Sequence, residues 1–145
     1  MKNRITNIFI FLIALSYTGL VYSSTCEDMK IKIIYDRKTK INKEKMCRFI
    51  ESDKTMYFMS ESCLFYACDV LKKKKVKLVI PDYYSSIGSP GFKLCRDLGG
   101  LPQIYEYQEK QNKNWESTER CIFNDKDFVE ISFLTYEWKN YISTK

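Results

Sequence analysis

Ser89-Pro90-Gly91-Phe92-Lys93-Leu94-Cys95-Arg96-Asp97-Leu98-Gly99-Gly100-Leu101-Pro102-Gln103-Ile104-Tyr105-Glu106-Tyr107-Gln108 carries the clearest structural punctuation in the chain. Ser89 is placed to cap a helix. Pro90 suits the first helical position, where the N–H it lacks would be unpaired, and Gly99 stands just past the helix end. Leu101 to Gln108 then reads as a strand and Trp115 to Phe123 as its returning partner, around the polar turn Lys110-Gln111-Asn112-Lys113-Asn114. Asn124-Asp125-Lys126-Asp127 makes a further turn. The last element carries Phe128, Ile131, Leu134, Trp138 and Tyr141. That spacing favours a helix, while the many aromatic and β-branched residues leave a strand open.

The first half is more basic and less regular. Ile31 and Ile33 alternate with Lys30 and Lys32, as a half-buried strand does. Residues 36–45 are charged and lack apolar periodicity, which predicts a loop. Cys47 to Ile50 and Thr55 to Met59 flank Ser52-Asp53-Lys54, a hairpin pattern. Ser60 or Ser62 would cap a helix running from Cys63 to Leu71, with Leu64, Ala67, Cys68 and Leu71 on one face. The run Lys72-Lys73-Lys74-Lys75 suits the C-terminal end of that helix, where exposed carbonyls attract positive charge. Val76 to Ile80 reads as a strand stopped by Pro81, and Tyr83 to Gly88 as the loop between halves.

These elements predict an α+β protein of two small disulfide-stapled units, 24–87 and 88–145, each a short antiparallel sheet packed with a helix. A weak internal echo links them. Cys47-x-Phe49 with Asp53-Lys54 downstream resembles Cys121-x-Phe123 with Asp125-Lys126 downstream.

Residues 1–23 read as a cleaved signal peptide. Lys2 and Arg4 precede the apolar run Ile8 to Leu15, and Val21 and Ser23 are suitably placed for cleavage after Ser23. The apolar run is shorter than the roughly 20 residues a membrane-spanning helix needs. The protein is therefore expected to be exported, either periplasmic or secreted. All six cysteines, Cys26, Cys47, Cys63, Cys68, Cys95 and Cys121, follow that segment, and an even number in an exported domain points to disulfides.

The chain has no histidine. That removes Ser-His-Asp and Cys-His nucleophile pairs, an imidazole base and His-ligated zinc. Cys63 and Cys68 are not spaced as a zinc knuckle, so neither metal nor cofactor is expected. No pair stands out among the 18 carboxylates to suggest a hydrolase. Behind residue 23 there are 22 Lys plus Arg against 18 Asp plus Glu, with the excess in residues 24–92. The chain shows no nucleic-acid motif.

Between Ser89 and Glu130 the pattern is Pro90-x4-Cys95-x3-Gly99-Gly100, then Cys121-x-Phe123-x-Asp125. It reads as a capped helix, a glycine corner, a hairpin and a turn, in which Cys95 and Cys121 could be joined across the corner. A bond closing a loop of that size contributes about 3 kcal/mol by the chain-entropy estimate. This stretch resembles a small exported bacterial family, a domain of unknown function that carries the label hemolysin. The matching positions are Pro90, Cys95, Gly99, Gly100, Cys121 and Asp125. Asn124 stands where the family has a second proline, Lys126 where it has a turn glycine, and Ile131 where it has tryptophan. The resemblance covers about 50 residues. It implies an exported structural unit with Cys95 bonded to Cys121, and no catalytic residue is carried over.

Two functions follow as expectations. One is a non-enzymatic binding or inhibitory module, for which Tyr83, Tyr84, Tyr105 and Tyr107 are the candidate contact surface, tyrosine being apolar with a polar tip. The other is a membrane-active or envelope-associated protein meeting anionic lipid through Lys72, Lys73, Lys74, Lys75 and Lys77. If Cys63 and Cys68 share one helix, their five-residue rise of about 7.5 Å forbids a bond between them. Cys26–Cys68 with Cys47–Cys63, or Cys26–Cys63 with Cys47–Cys68, are then the two pairings left.

Overall fold

The computed structural model describes residues 24–51, 53–84 and 88–144, so the expected signal peptide lies outside the described residues. β1 (Ser24–Tyr35) and β2 (Lys38–Ile50) form a long hairpin. Its two-residue turn, Asp36-Arg37, has positive φ at both positions, as a type I′ turn requires. β3 (Met56–Met59) returns along β2, followed by a 3₁₀ segment (Glu61–Tyr66) and the single turn α1 (Asp69–Lys72). Then come β4 (Leu78–Val79), α2 (Pro90–Asp97), β5 (Leu101–Gln108) and β6 (Glu116–Ile122). β7 (Phe128–Glu130), α3 (Ile131–Trp138) and β8 (Ile142–Ser143) complete the order, with β8 parallel to β4.

The expectation of separate short sheets, one for each unit, is corrected here. Six strands close into one antiparallel barrel in the order β1-β2-β3-β7-β6-β5, so both halves of the chain share a sheet. The halves meet at two seams. At one, Lys30–Lys32 of β1 pair with Glu106–Gln108 of β5. At the other the ladder is a single pair, Met59 with Val129, and side chains complete it. The Phe58 N–H donates to Glu130 Oε2 at 2.7 Å, and the Phe128 N–H donates to Ser60 Oγ at 3.1 Å. Met29, Ile31, Met46, Phe58, Tyr105 and Phe128 fill the barrel. A larger core lies between the barrel wall and the helices, around Phe49, Met59, Leu94, Phe133, Leu134 and Trp138.

The internal echo in the sequence corresponds to a register equivalence. Cys47 pairs with Cys26 and Met59 on its two sides, and Cys121 pairs with Pro102 and Val129. Ile31 opposes Asn42 as Tyr107 opposes Glu116. The two three-stranded meanders then meet each other at Ile31–Tyr107 and Met59–Val129, which are like positions of each. The pairing registers of β1-β2-β3 and β5-β6-β7 thus correspond position by position.

Residues 36–45, expected as a loop, are mostly strand. Their lack of apolar alternation reflects a hairpin arm that projects into solvent, while the pairing register with β1 holds it extended. The expected helix from Cys63 to Leu71 is also corrected. Leu64 is extended, and Phe65 and Tyr66 have φ of 52° and 60°, so the chain reverses there. Packing overrides the helical pattern at this point. The Tyr66 ring lies edge-on to Phe49, 6.1 Å away, and its hydroxyl donates to Glu51 at 2.9 Å and to Glu137 at 3.2 Å.

That reversal changes the disulfides. Cys63 and Cys68 come within 4.5 Å, Cα to Cα, and are bonded to each other. Cys26 and Cys47 face one another across β1 and β2 with Cα atoms 4.0 Å apart and form the second bond. Neither expected pairing of these four is present. Cys95–Cys121 is formed as expected and ties α2 to β6.

Candidate functional site

The barrel is open at one end because β1 and β5 part company early. Beyond Lys32 and Glu106 the two strands run on without register partners across the seam, Ile33 to Tyr35 on β1 and Leu101 to Tyr105 on β5. The tip of the β1–β2 hairpin therefore projects past the barrel wall. Its apolar residues are uncovered, with Tyr35 82%, Ile34 62% and Ile41 56% exposed. Ile104, two residues beyond the last paired position on β5, is 57% exposed.

Between hairpin and β5 lies a cleft of about 420 Å³ lined by Ile33, Tyr35, Lys38, Lys40, Asn42 and Gln103, with Asp36 of the turn at its outer rim. Strand alternation puts these hairpin residues on the face that continues into the barrel, and Ile34 and Ile41 on the other. Arg37, Lys38 and Lys40 have no ion-pair partner among the described residues. The mouth thus combines free cations, uncovered apolar side chains and two strand edges.

Deeper in, Arg120 is almost wholly buried. Its Nε donates to Gln103 Oε1 at 2.9 Å and its Nη1 meets Glu44 Oε1 at 2.6 Å, while the guanidinium lies 4.8 Å from the Tyr105 ring centre and 4.9 Å from that of Phe128. Glu44 lets a charge sit among aromatic rings, since a buried cation needs a paired anion. A second cavity, about 590 Å³, lies between this pair, Gly99 to Leu101 and the turn 123–127. Glu130 accepts from Phe58 N–H, Thr118 and Ser132, and burial raises its pKa above the ordinary carboxylate value although those donors act the other way.

The expected tyrosine surface is not formed. Tyr105 and Tyr107 are buried because odd-numbered residues of β5 face the barrel interior, and Tyr83 is buried in the helix-side core. Tyr107 donates to Glu116 Oε2 at 2.6 Å. Burial raises the pKa of all three phenols. Only Tyr84, 75% exposed, remains as a contact residue.

Of the lysines, Lys75 is held by Glu137, while Lys72, Lys73, Lys74 and Lys77 are exposed. Pro90 opens α2, and Gly99 and Gly100 close it. Asp125 is exposed in the turn, where Asn124 does the work instead: its Oδ1 accepts from Lys126 and Asp127 N–H groups at 2.8 and 2.7 Å. The hairpin surface went unrecognised in the sequence because residues 36–45 read as loop. The signal available was Thr39 and Ile41, β-branched residues spaced by two in the charged run.

No group of three or more acidic or cysteine side chains among the described residues is arranged to hold a metal. No helix among them is long and apolar enough to cross a membrane. No family model, curated protein or solved structure matches the chain.

Proposed function

We propose that the protein is an exported, disulfide-stabilised binding module, without catalysis of its own, that captures a partner protein through the β1–β2 hairpin. Uncovered Ile34 and Ile41 on one face of the projecting, paired arm and Tyr35 on the other carry this proposal. Isolated apolar residues on a surface are ordinary, but a cluster at the tip of a projecting element marks an interaction site. Three disulfides fit an oxidising compartment. The leader-like segment at 1–23 adds export to the periplasm or beyond, and the resemblance of Ser89 to Glu130 to the hemolysin-labelled family agrees with export. The test is a pull-down from envelope and host-cell extracts with the oxidised chain and its Ile34→Ser/Tyr35→Ser/Ile41→Ser variant. A partner retained by the native chain and lost with the variant is the expected result. Equal retention by both would reject the hairpin.

A second proposal, association with an anionic membrane surface, is favoured by one observation. Phe65, Val76 and Val79 are exposed beside Lys72, Lys73, Lys74 and Lys77. Tyr66 and Lys75 both contact Glu137, which draws the Phe65 turn and the lysine run together. Sedimentation with anionic and neutral vesicles at two salt concentrations tests it. Absence of salt-sensitive binding to the anionic vesicles would reject it.

A further inference from the structure

We infer that the open seam between β1 and β5 takes an extended segment of a partner polypeptide, of alternating acidic and apolar residues, as an added strand. The inference rests on the binding-module proposal and specifies the partner's chemistry. β1 and β5 are each paired on one side only near the mouth, β1 to β2 as far as Tyr35–Lys38 and β5 to β6 as far as Leu101–Ile122. Each therefore shows a strand edge to the gap, and unpaired edges are templates for pairing with another chain. Residues 101–105 of β5 span about 16 Å at roughly 3.3 Å per residue, and Pro102, which has no N–H, confines pairing there chiefly to Gln103 to Tyr105.

Charge complementarity selects the occupant. Side chains of an added strand alternate between the two faces of the sheet. On one face they would meet Lys38, Lys40 and Gln103 in the cleft, where two lysines outnumber the single carboxylate of Asp36 and neither lysine has an ion-pair partner among the described residues. On the other they would lie near Ile34 and Ile104, both uncovered. Acidic residues facing inward and apolar residues facing outward satisfy both surfaces, whereas a basic strand meets like charge. Completing the seam also covers the exposed isoleucines with no change in the barrel.

Hydrogen exchange on the oxidised chain tests this with three octapeptides: alternating Glu and Val, alternating Lys and Val, and the Glu–Val sequence N-methylated at alternate amides. The Glu–Val peptide is expected to slow exchange within residues 33–35 and 103–105, and the other two to leave it unchanged. Lys38→Glu/Lys40→Glu is expected to weaken Glu–Val binding about tenfold, the effect of losing two exposed ion pairs, with melting temperature kept. No protection by the Glu–Val peptide at millimolar concentration overturns the inference, as does equal protection by the Lys–Val peptide. Protection of the same amides without peptide, rising with protein concentration alongside dimer in sedimentation, would assign the seam to a second copy and also overturn it. If the pull-down partner depends on Ile34, Tyr35 and Ile41 while these amides stay unprotected, the binding module stands and strand addition fails.

Discussion

Gly99 and Gly100 are neighbours with different tasks. Gly99 has φ of +87° with open space around it, and its N–H bonds the Arg96 carbonyl while that of Gly100 bonds the Cys95 carbonyl, together a Schellman closure of α2. A Cβ at Gly100 would instead stand 2.3 Å from Cys121 Sγ and 3.1 Å from Cys95 Sγ, against the disulfide. Gly99→Ala is therefore expected to cost about 1 kcal/mol of stability through backbone strain. Gly100→Ala should cost about 2 kcal/mol or more, because the bonded sulfurs cannot move aside. Urea unfolding of both variants checks the order, and a larger loss for Gly99→Ala would refute it. Glu130 yields a prediction in pH. An unfolded glutamate releases its proton near pH 4.3, and burial holds that of Glu130 to higher pH. Between those values the folded chain keeps a proton that the unfolded chain loses, so this group's contribution to stability is full below the lower value and is lost as pH rises through the upper one. The unfolding free energy of the native chain relative to Glu130→Gln should fall as pH is raised from 4 toward neutrality. A flat difference across that range would show that the three hydrogen bonds offset the burial.

At the scale of elements, the turn of the β1–β2 hairpin is built from residues that its backbone does not favour. Asp36 and Arg37 both lie in the left-handed region, where a two-residue turn prefers Asn-Gly. Asp36→Asn/Arg37→Gly is expected to raise stability by about 1 kcal/mol, seen as a melting temperature a few degrees higher. An unchanged or lower melting temperature would mean the turn is relaxed as it stands. Legibility in sequence followed the same lines. α2, β5, β6 and the turn at 124–127 could be read closely because Ser89, Pro90, Gly99 and the polar run 110–114 punctuate them locally. Phe128 to Trp138 was ambiguous for a sound reason: three residues are strand and the next eight are helix, and one apolar spacing serves both. The segment Cys63 to Leu71 misled because its reversal depends on Tyr66 packing against Phe49 and Phe133, residues distant in sequence. A continuous helix there would forbid a Cys63–Cys68 bond, and the reversal at Phe65 and Tyr66 is what permits it. Among the candidate contact residues, strand phase decided the outcome, since Tyr105 and Tyr107 share a face and that face is the interior.

For the molecule as a whole, the disulfides and the barrel partition the chain differently. Cys26–Cys47 and Cys63–Cys68 lie within residues 24–87, and Cys95–Cys121 within 88–145, so no covalent bridge joins the halves except the chain itself. The barrel joins them: β1–β5 and β3–β7 pair across the boundary, β4 pairs with β8, and the helix-side core mixes Phe49 and Met59 with Leu94, Phe133 and Trp138. Each half alone would leave two strand edges and most of that core face exposed, and a unit of about 60 residues has little margin for such a loss. A protease site introduced between residues 84 and 88 decides between the two partitions. The cut, oxidised protein is expected to run on gel filtration as one species in native buffer. It should separate into two pieces in denaturant without reductant, because only barrel pairing and the shared core then hold them. Separation in native buffer would show two independent stapled units that merely dock. The uncut chain should accordingly unfold in a single transition, with ring signals from Phe49 and Trp138 lost together.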